Sequence, residues 1–200
     1  HRVRYRNATM NPILKPLGLS LSLFISACAV SPQSVVVQPL VNVSGALYGQ
    51  GRALTISVED HRANTALGSL GGIYEASSTI TLSNDINAAL LVAANAASLQ
   101  LGFDGSSSAT PAHVTLVLEQ LTYDTQTSNL IHTISLDAKI TLITDINGSN
   151  HIGHYRTQRS HKFPRLPDAQ KNAEIINEVL STSLERGFSD ISLAKFLAHN

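Results

Sequence analysis

The clearest pattern in the chain is an alternation of apolar and polar residues over 130–144, which predicts a β-strand. The residues predicted to share its buried face are Ile134, Leu136, Ala138, Ile140 and Leu142. The residues predicted to share its wet face are Thr133, Ser135, Asp137, Lys139 and Thr141. One buried face and one wet face are typical of an antiparallel sheet that is covered on a single side.

The same two-residue period predicts three more strands. Residues 54–58 alternate and end in the charged run Glu59 to Arg62, and residues 113–123 precede a turn predicted at 125–129. Asn147-Gly148 is a hairpin-turn signal, because both residues adopt the left-handed backbone conformation readily. It leads into a more polar strand over 151–163.

A helical period appears in two places. Apolar residues spaced by three and four predict a helix from Asn84 to about Gly102, with Ser83 as its N-cap. Asp168 is placed to begin a second helix that ends at Gly187, and Ser189 is placed to cap a short terminal helix.

These elements follow the order β-α-β-β-β-α, with the short helix at the end. We therefore predict an α+β fold, a two-layer sandwich in which an antiparallel meander sheet carries the helices on one face. We find no internal repeat.

The N-terminal residues 1–27 differ from the rest in charge, since they carry four basic residues and no acid. The apolar stretch Leu17 to Ala27 would span only about 16 Å as a helix, half of a bilayer core, and is typical of a signal peptide. Met10 is the only methionine, so we expect translation to start there and residues 1–9 to be an upstream extension.

The end of this stretch, Ile25-Ser26-Ala27-Cys28, resembles the lipobox of bacterial lipoproteins. Cys28 is the only cysteine of the chain, and the resemblance implies that its thiol carries a diacylglycerol and that its freed amine is acylated as well. The alternative is a buried core strand with an inert thiol. Ala29 in the second mature position favours the outer membrane over the inner one.

We accordingly divide the chain into residues 1–27 (extension and signal peptide), 28–50 (lipidated tether) and 51–200 (periplasmic α+β domain). The tether has no charged residue before Arg52, and its Val35–Val37 and Leu40–Val41 patches are predicted to lie on the domain. Beyond residue 27 the chain carries 14 acidic and 10 basic residues. A mildly acidic domain without a basic stripe argues against nucleic acid as a partner.

Candidate chemistry is sparse. Asp60 and Arg62 lie on one side of a strand end, where we expect an ion pair or a loop-organising contact that could belong to a binding site. His151 and His154 would point to opposite faces of their strand, so we expect no metal site. We find no nucleophile elbow and no phosphate loop, and we expect no catalytic residue and no cofactor.

The chain resembles the YajG family of uncharacterised lipoproteins from Gram-negative bacteria. The likeness rests on the lipobox, on "LTISVEDHR" with Val58, Asp60 and Arg62, and on the following Leu67-Gly68. The helix over 86–102, the strands "VTLVLEQLTYD" and "AKITLIT" and the last amphipathic helix follow in the same order. The resemblance implies an envelope lipoprotein with no assigned activity and provides no catalytic residues.

We therefore hypothesise an outer-membrane lipoprotein that is not an enzyme and whose periplasmic domain binds an envelope protein or helps to organise the envelope. The wet face of the sheet is the candidate surface for the partner. The alternative is an enzyme or small-ligand carrier that acts on cell-wall fragments or lipids. A deep pocket that encloses Asp60, Arg62 and a histidine would favour that alternative.

Overall fold

A seven-stranded sheet and three α-helices form the part of the chain that the computed structural model describes, which is residues 31–45, 47–72 and 75–200. The strands are β1 (Gln33–Val35), β2 (Leu54–Asp60), β3 (Gly68–Ser69), β4 (Thr79–Leu82), β5 (Ala112–Ser128), β6 (Ile131–Ile146) and β7 (Ser149–Phe163). The helices are α1 (Ile86–Gln100), α2 (Ala169–Phe188) and α3 (Ile191–His199). The predicted start at Met10, the signal peptide, the lipobox and Cys28 lie outside the described residues.

The sheet is mixed, with the order β1-β4-β3-β5-β6-β7, and β2 pairs with the first half of β5. Strand β6 runs antiparallel to both β5 and β7, and β3 runs antiparallel to β4. Strand β5 is parallel to β2 and to β3, and β1 is parallel to β4. The α+β class is confirmed. The predicted antiparallel meander in the order β-α-β-β-β-α is not confirmed, because the sheet is mixed and contains the short strands β1, β3 and β4 in addition. The chain passes through α1 between β2 and β5, and such a crossover joins parallel strands.

A bulge in β5 changes which side chains face the helices. Leu118 pairs with Ile140 and Gln120 pairs with Lys139, so Glu119 is the extra residue. Since a one-residue insertion reverses the alternation, Leu118 before the bulge and Leu121 after it are both buried.

Of the two predicted hairpin turns, the one between β6 and β7 is confirmed and the one between β5 and β6 is displaced. Asn147 and Gly148 both have positive φ between β6 and β7, as the sequence predicted. The turn predicted at 125–129 is wrong, because β5 continues to Ser128 and the chain reverses at Asn129 and Leu130.

Carboxylates cap all three helices. Asp85, and not Ser83, is the N-cap of α1, and its side chain accepts hydrogen bonds from the N–H groups of Asn87 and Ala88. Asp168 caps α2 as predicted, and Asp190 replaces the predicted Ser189 as the cap of α3. A carboxylate is favoured here because it meets both the free N–H groups and the positive end of the helix dipole.

The helices lie on one face of the sheet, where α1 packs against β2 and α2 packs against β6 and β7. The five apolar residues of β6 that were predicted to be buried are all at most 2% exposed. From the helices the core receives chiefly Leu90, Ala94, Ala97, Ile176, Val179, Leu180 and Leu184.

An extended segment, residues 33–44, completes the helix layer, and we call it the N-terminal strap. Its odd-numbered residues from Val35 to Val43 are buried, and the even-numbered residues between them are exposed. The part predicted to lie on the domain is thus a continuous component of the core.

Side-chain amides on both neighbouring helices hold the strap. On the α1 side, Asn84 bonds the N–H and C=O groups of Val37 at 2.8 and 2.7 Å, and Gln100 accepts from the N–H group of Val43 at 2.9 Å. On the α2 side, the Asn177 side chain accepts from the N–H group of Gln38 at 2.8 Å. Beyond β1, which pairs with β4, these bonds take the place of a neighbouring strand for the backbone of the strap.

Candidate functional site

The Asp60–Arg62 pair lies where β2 ends. The Arg62 Nε and Nη2 atoms donate to the two carboxylate oxygens of Asp60 at 2.8 and 2.7 Å. The Arg62 backbone N–H group also donates to Asp60, at 3.1 Å. The pair therefore closes its own turn, which is the loop-organising contact that the sequence predicted.

The Arg62 side chain is only 6% exposed, and its Nη1 atom is buried with no hydrogen-bond partner among the described residues. The bidentate contact to Asp60 offsets much of the cost of burying the guanidinium. The third nitrogen remains free to bind an anionic group if the side chain or its cover shifts.

The hydrogen bonds from Arg62 hold the pKa of Asp60 below its ordinary value of 3.8, and they outweigh the opposing effect of burial. The ionised pair therefore stabilises the fold above about pH 4, and this contribution is lost as the pH falls through the folded pKa. We expect Asp60→Asn to be about 1–2 kcal/mol less stable than the parent at pH 7. The difference should shrink towards zero near pH 2, as measured by urea unfolding across this range.

Asp124 provides a matched control, because it is an exposed aspartate on the neighbouring strand β5 with no ion pair among the described residues. Asp124→Asn should leave the stability within about 0.5 kcal/mol of the parent at each pH. A stability gap for Asp60→Asn that stays constant down to pH 2 would show that the ion pair is not its origin.

Beside Arg62 the surface forms an open cleft of about 760 Å³. The ionisable residues of its lining are Arg62, Glu75 and Glu119. The remainder comes from residues 63–69, Ala76, the start of β4 and residues 120–122. Asp60 and the histidines of the described chain do not line it. The cleft therefore differs from the deep pocket with Asp60, Arg62 and a histidine that would have favoured an enzyme or carrier.

A second polar cluster covers the sheet face opposite the helices, which we call the open sheet face. Arg156 on β7 donates to Asp137 on β6 from Nε at 2.9 Å and pairs with it again through Nη2. Gln120 and Gln158 donate to the same carboxylate, each at 3.2 Å. The hydrogen bonds from Arg156 lower the pKa of Asp137.

The bulge residue Glu119 joins this face. Its carboxylate pairs with Lys139 and accepts from the Thr141 hydroxyl, and the contact with Lys139 is the main cause of its lowered pKa. The His154 ring lies 2.7 Å from the same hydroxyl. Cross-strand contacts of this kind hold the side chains of the open sheet face in place, and Thr141, predicted to be wet, is buried beneath its neighbours.

The histidines of β7 lie on opposite faces, as predicted. His154 belongs to the open sheet face, whereas His151 contacts Ser192 and the Phe196 ring of α3. Among the described residues, no three His, Cys, Asp or Glu side chains come together in a way that could hold a metal ion.

Sequence reasoning missed two features of these surfaces. The bulge that brings Glu119 to the open sheet face has a signal, because the alternation of Val114, Leu116 and Leu118 resumes out of phase at Leu121 and Tyr123. The strap has only a partial signal, because polar residues separate the apolar ones at 38 and 42 whereas Val36 and Leu40 are themselves apolar. The sequence therefore indicates an apolar extended segment without showing which of its faces is buried.

Residues 39–198 match the model of a family described as uncharacterized lipoprotein. Since the match covers most of the chain, the protein belongs to this family. The class predicted from the YajG resemblance is thereby confirmed. No curated protein matches the chain. Within the described residues, the helices lack the combination of length and apolar character that a bilayer-spanning helix requires.

Three solved structures are similar to this chain at low TM-scores. An uncharacterized protein is 12% identical with a TM-score of 0.41, and it covers 82% of this chain and 99% of its own. A protein from Xanthomonas campestris is 8% identical with a TM-score of 0.43, covering 82% and 95% respectively. A minor lipoprotein from Acinetobacter baumannii is 10% identical with a TM-score of 0.40, covering 81% and 95%. At these scores the structures carry no argument about the function of this chain.

Proposed function

We propose that this lipoprotein is anchored in the outer membrane through acylated Cys28 and that its periplasmic domain is a non-enzymatic module that binds an envelope protein. The open sheet face is the binding surface. The lipoprotein family supports anchorage in the envelope, and Ala29 supports the choice of the outer membrane.

The observation that carries this proposal is the ordered polarity of the open sheet face. Arg156 and His154 are exposed side chains of β7. The carboxylate of Asp137 on β6 contacts Arg156, and the carboxylate of Glu119 on β5 contacts His154. Such a surface offers directional hydrogen bonds and charges of both signs, which give a protein interface its specificity.

The same geometry argues against catalysis as the role of this face. Each carboxylate of the cluster is already bonded to a cation on a neighbouring strand, and their pKa values are lowered. A general acid or base needs a pKa near the working pH, which requires a shift in the opposite direction. The cleft beside Arg62 presents the hydroxyls of Thr65, Ser69, Thr79 and Thr122 but no histidine to activate them.

Site-specific photocrosslinking in cells tests the proposal. With a photoreactive phenylalanine analogue at Gln158, on the open sheet face, we expect a discrete adduct with an envelope protein that mass spectrometry can identify. The same analogue at Glu174, exposed on α2, should give little of that adduct. Reversing the charge at this position with Arg156→Glu should lower the yield at least about fivefold. An anionic group of the partner that pairs with the Arg156 cation would then meet a charge of its own sign.

Two outcomes would contradict the proposal. Equal yields of the adduct from Gln158 and Glu174 would show that capture does not depend on the open sheet face. Adducts with lipid or glycan alone would show that this face meets no protein.

A second candidate function, that of a small-ligand carrier, is favoured by the free Nη1 atom of Arg62 beside a cleft of about 760 Å³. A carboxylate or phosphate group of a cell-wall fragment or lipid would suit this nitrogen. Native mass spectrometry of the protein extracted from membranes distinguishes the two functions, because only a carrier should retain an anionic small molecule that Arg62→Gln releases.

A further inference from the structure

The surface of α1 that faces away from the sheet is apolar. A helix at the surface of a domain normally turns a polar or charged face outwards. The exposed residues of α1 are instead mostly apolar, and Val92 is 70% exposed. They are Ala88, Val92, Asn95, Ala96, Leu99 and Gln100. The helix contains no acidic or basic residue.

The strap extends this apolar surface. Its outward side chains include Val36 and Leu40, and Leu40 is 79% exposed. Val36, Leu40 and Val92 line one shallow groove between the strap and α1. We call the exposed residues of α1 together with Val36 and Leu40 the strap–α1 face.

The two segments that form this face carry no charge, and acidic residues stand only at its margins, where Asp85 lines the end of the groove and Glu185 of α2 accepts from the N–H group of Asn42. Neither residues 31–51 nor residues 86–103 contain an acidic or basic residue, although the two segments are far apart in the chain. The fold places them side by side, bonded through Asn84 and Gln100. In contrast, the exposed side of α2 carries Lys171, Glu174 and Glu178.

The position of Cys28 restricts what this face can meet. Only two residues separate Cys28 from Ser31, where the described chain begins, and three residue steps span at most about 11 Å. Val36 lies eight steps from Cys28, within about 28 Å. A domain whose first packed strand starts so close to an acylated residue is held against the bilayer surface.

We propose that the strap–α1 face lies on the lipid bilayer, with its apolar side chains among the headgroups and the upper acyl chains. This rests on the proposed anchoring through Cys28. The bilayer is favoured over a protein partner because the face offers no charge and few polar groups for recognition, and because it is continuous with the segment that leads to the anchor. The open sheet face, on the other side of the domain, then points into the periplasm.

Fluorescence in proteoliposomes tests this orientation. Because acylation consumes the thiol of Cys28, Val92→Cys gives the full lipidated protein a single reactive thiol for an environment-sensitive nitrobenzoxadiazole label. Gln158→Cys gives the matched label on the open sheet face. In vesicles of phosphatidylethanolamine and phosphatidylglycerol that contain doxyl-labelled lipid, we expect quenching at residue 92 to exceed that at residue 158 at least about threefold.

The controls separate this inference from the anchoring itself. Flotation of the vesicles is measured first, and a protein that does not float contradicts anchoring rather than orientation. If the protein floats but water-soluble iodide quenches residues 92 and 158 equally, the inference is overturned. A third result would also overturn it. In that case neither iodide nor the doxyl-labelled lipid quenches the label at residue 92, and the unlabelled Val92→Cys protein forms disulfide crosslinks between two copies of the chain.

A second pair of variants checks the inference without a label. Leu99→Asp places a charge on the strap–α1 face, whereas Ser160→Asp places one on the open sheet face, and both sites are exposed. Limited proteolysis in vesicles should cleave the Leu99→Asp protein several-fold faster than the parent, and the Ser160→Asp protein at the parent rate. Equal rates for all three proteins in vesicles would contradict the inference, provided that their unfolding midpoints in detergent agree.

Discussion

Replacing Val37 by aspartate is expected to destabilise the domain by about 3–5 kcal/mol, enough to unfold much of a marginally stable protein. Val37 is 0% exposed, and it lies in the core between α1 and α2. A carboxylate at this position would be buried without a cation to pair with it. The free energy of unfolding, measured with urea, checks this expectation.

The neighbouring strap residue Leu40 supplies the control. It belongs to the same segment but points outwards, so Leu40→Asp should change the stability by less than about 0.5 kcal/mol when measured in the absence of membranes. A flexible tether would tolerate both substitutions equally. Equal and small effects of the two variants would therefore contradict the assignment of residues 33–44 to the core.

The long strands could be predicted because their alternation is strong and continuous. In β6, five apolar residues repeat with a period of two, and all five are buried on the helix side. The β6–β7 turn was also predictable, since Asn147 and Gly148 tolerate the positive φ that the turn demands. In these elements the local preference of each residue agrees with the fold.

The errors occur where tertiary contacts override local preference or where an element is too short to show a period. Leu130 adopts a φ of 63° at the β5–β6 turn, a conformation that leucine rarely takes, so no turn signal stands at that position. The strands β1 and β3 contain three and two residues. The parallel pairing of β2 with β5 depends on the path of the chain through α1, which periodicity does not encode.

The candidate site was predictable to a similar extent. The spacing of Asp60 and Arg62 predicted their ion pair, because alternate residues of a strand share one side. The cluster on the open sheet face joins residues from three strands, Glu119, Asp137 and Arg156 among them. Its assembly requires the register of β5, β6 and β7, together with the bulge at Glu119, and the pattern of a single strand does not give the register between strands.

Loss of the Cys28 thiol is expected to have an all-or-none effect on acylation of the protein. Cys28→Ser should abolish labelling of the protein with a radioactive or clickable fatty acid and should leave an unprocessed precursor. Serine lacks the thiol that forms the thioether to diacylglycerol, and without it no acyl chain holds the domain at the membrane. Gel mobility, acyl labelling and membrane fractionation measure the three consequences separately.

Ala29→Asp is the matched control, because it keeps Cys28 and changes only the second mature position. This variant should be acylated like the parent but should move from the outer to the inner membrane, as judged by density-gradient fractionation. Acyl labelling of the Cys28→Ser protein at the parent level would contradict the anchor. An Ala29→Asp protein that stays in the outer membrane would contradict only the sorting argument. The Cys28→Ser variant thus tests whether the domain is anchored to a membrane, and the Ala29→Asp variant tests which membrane it is anchored to.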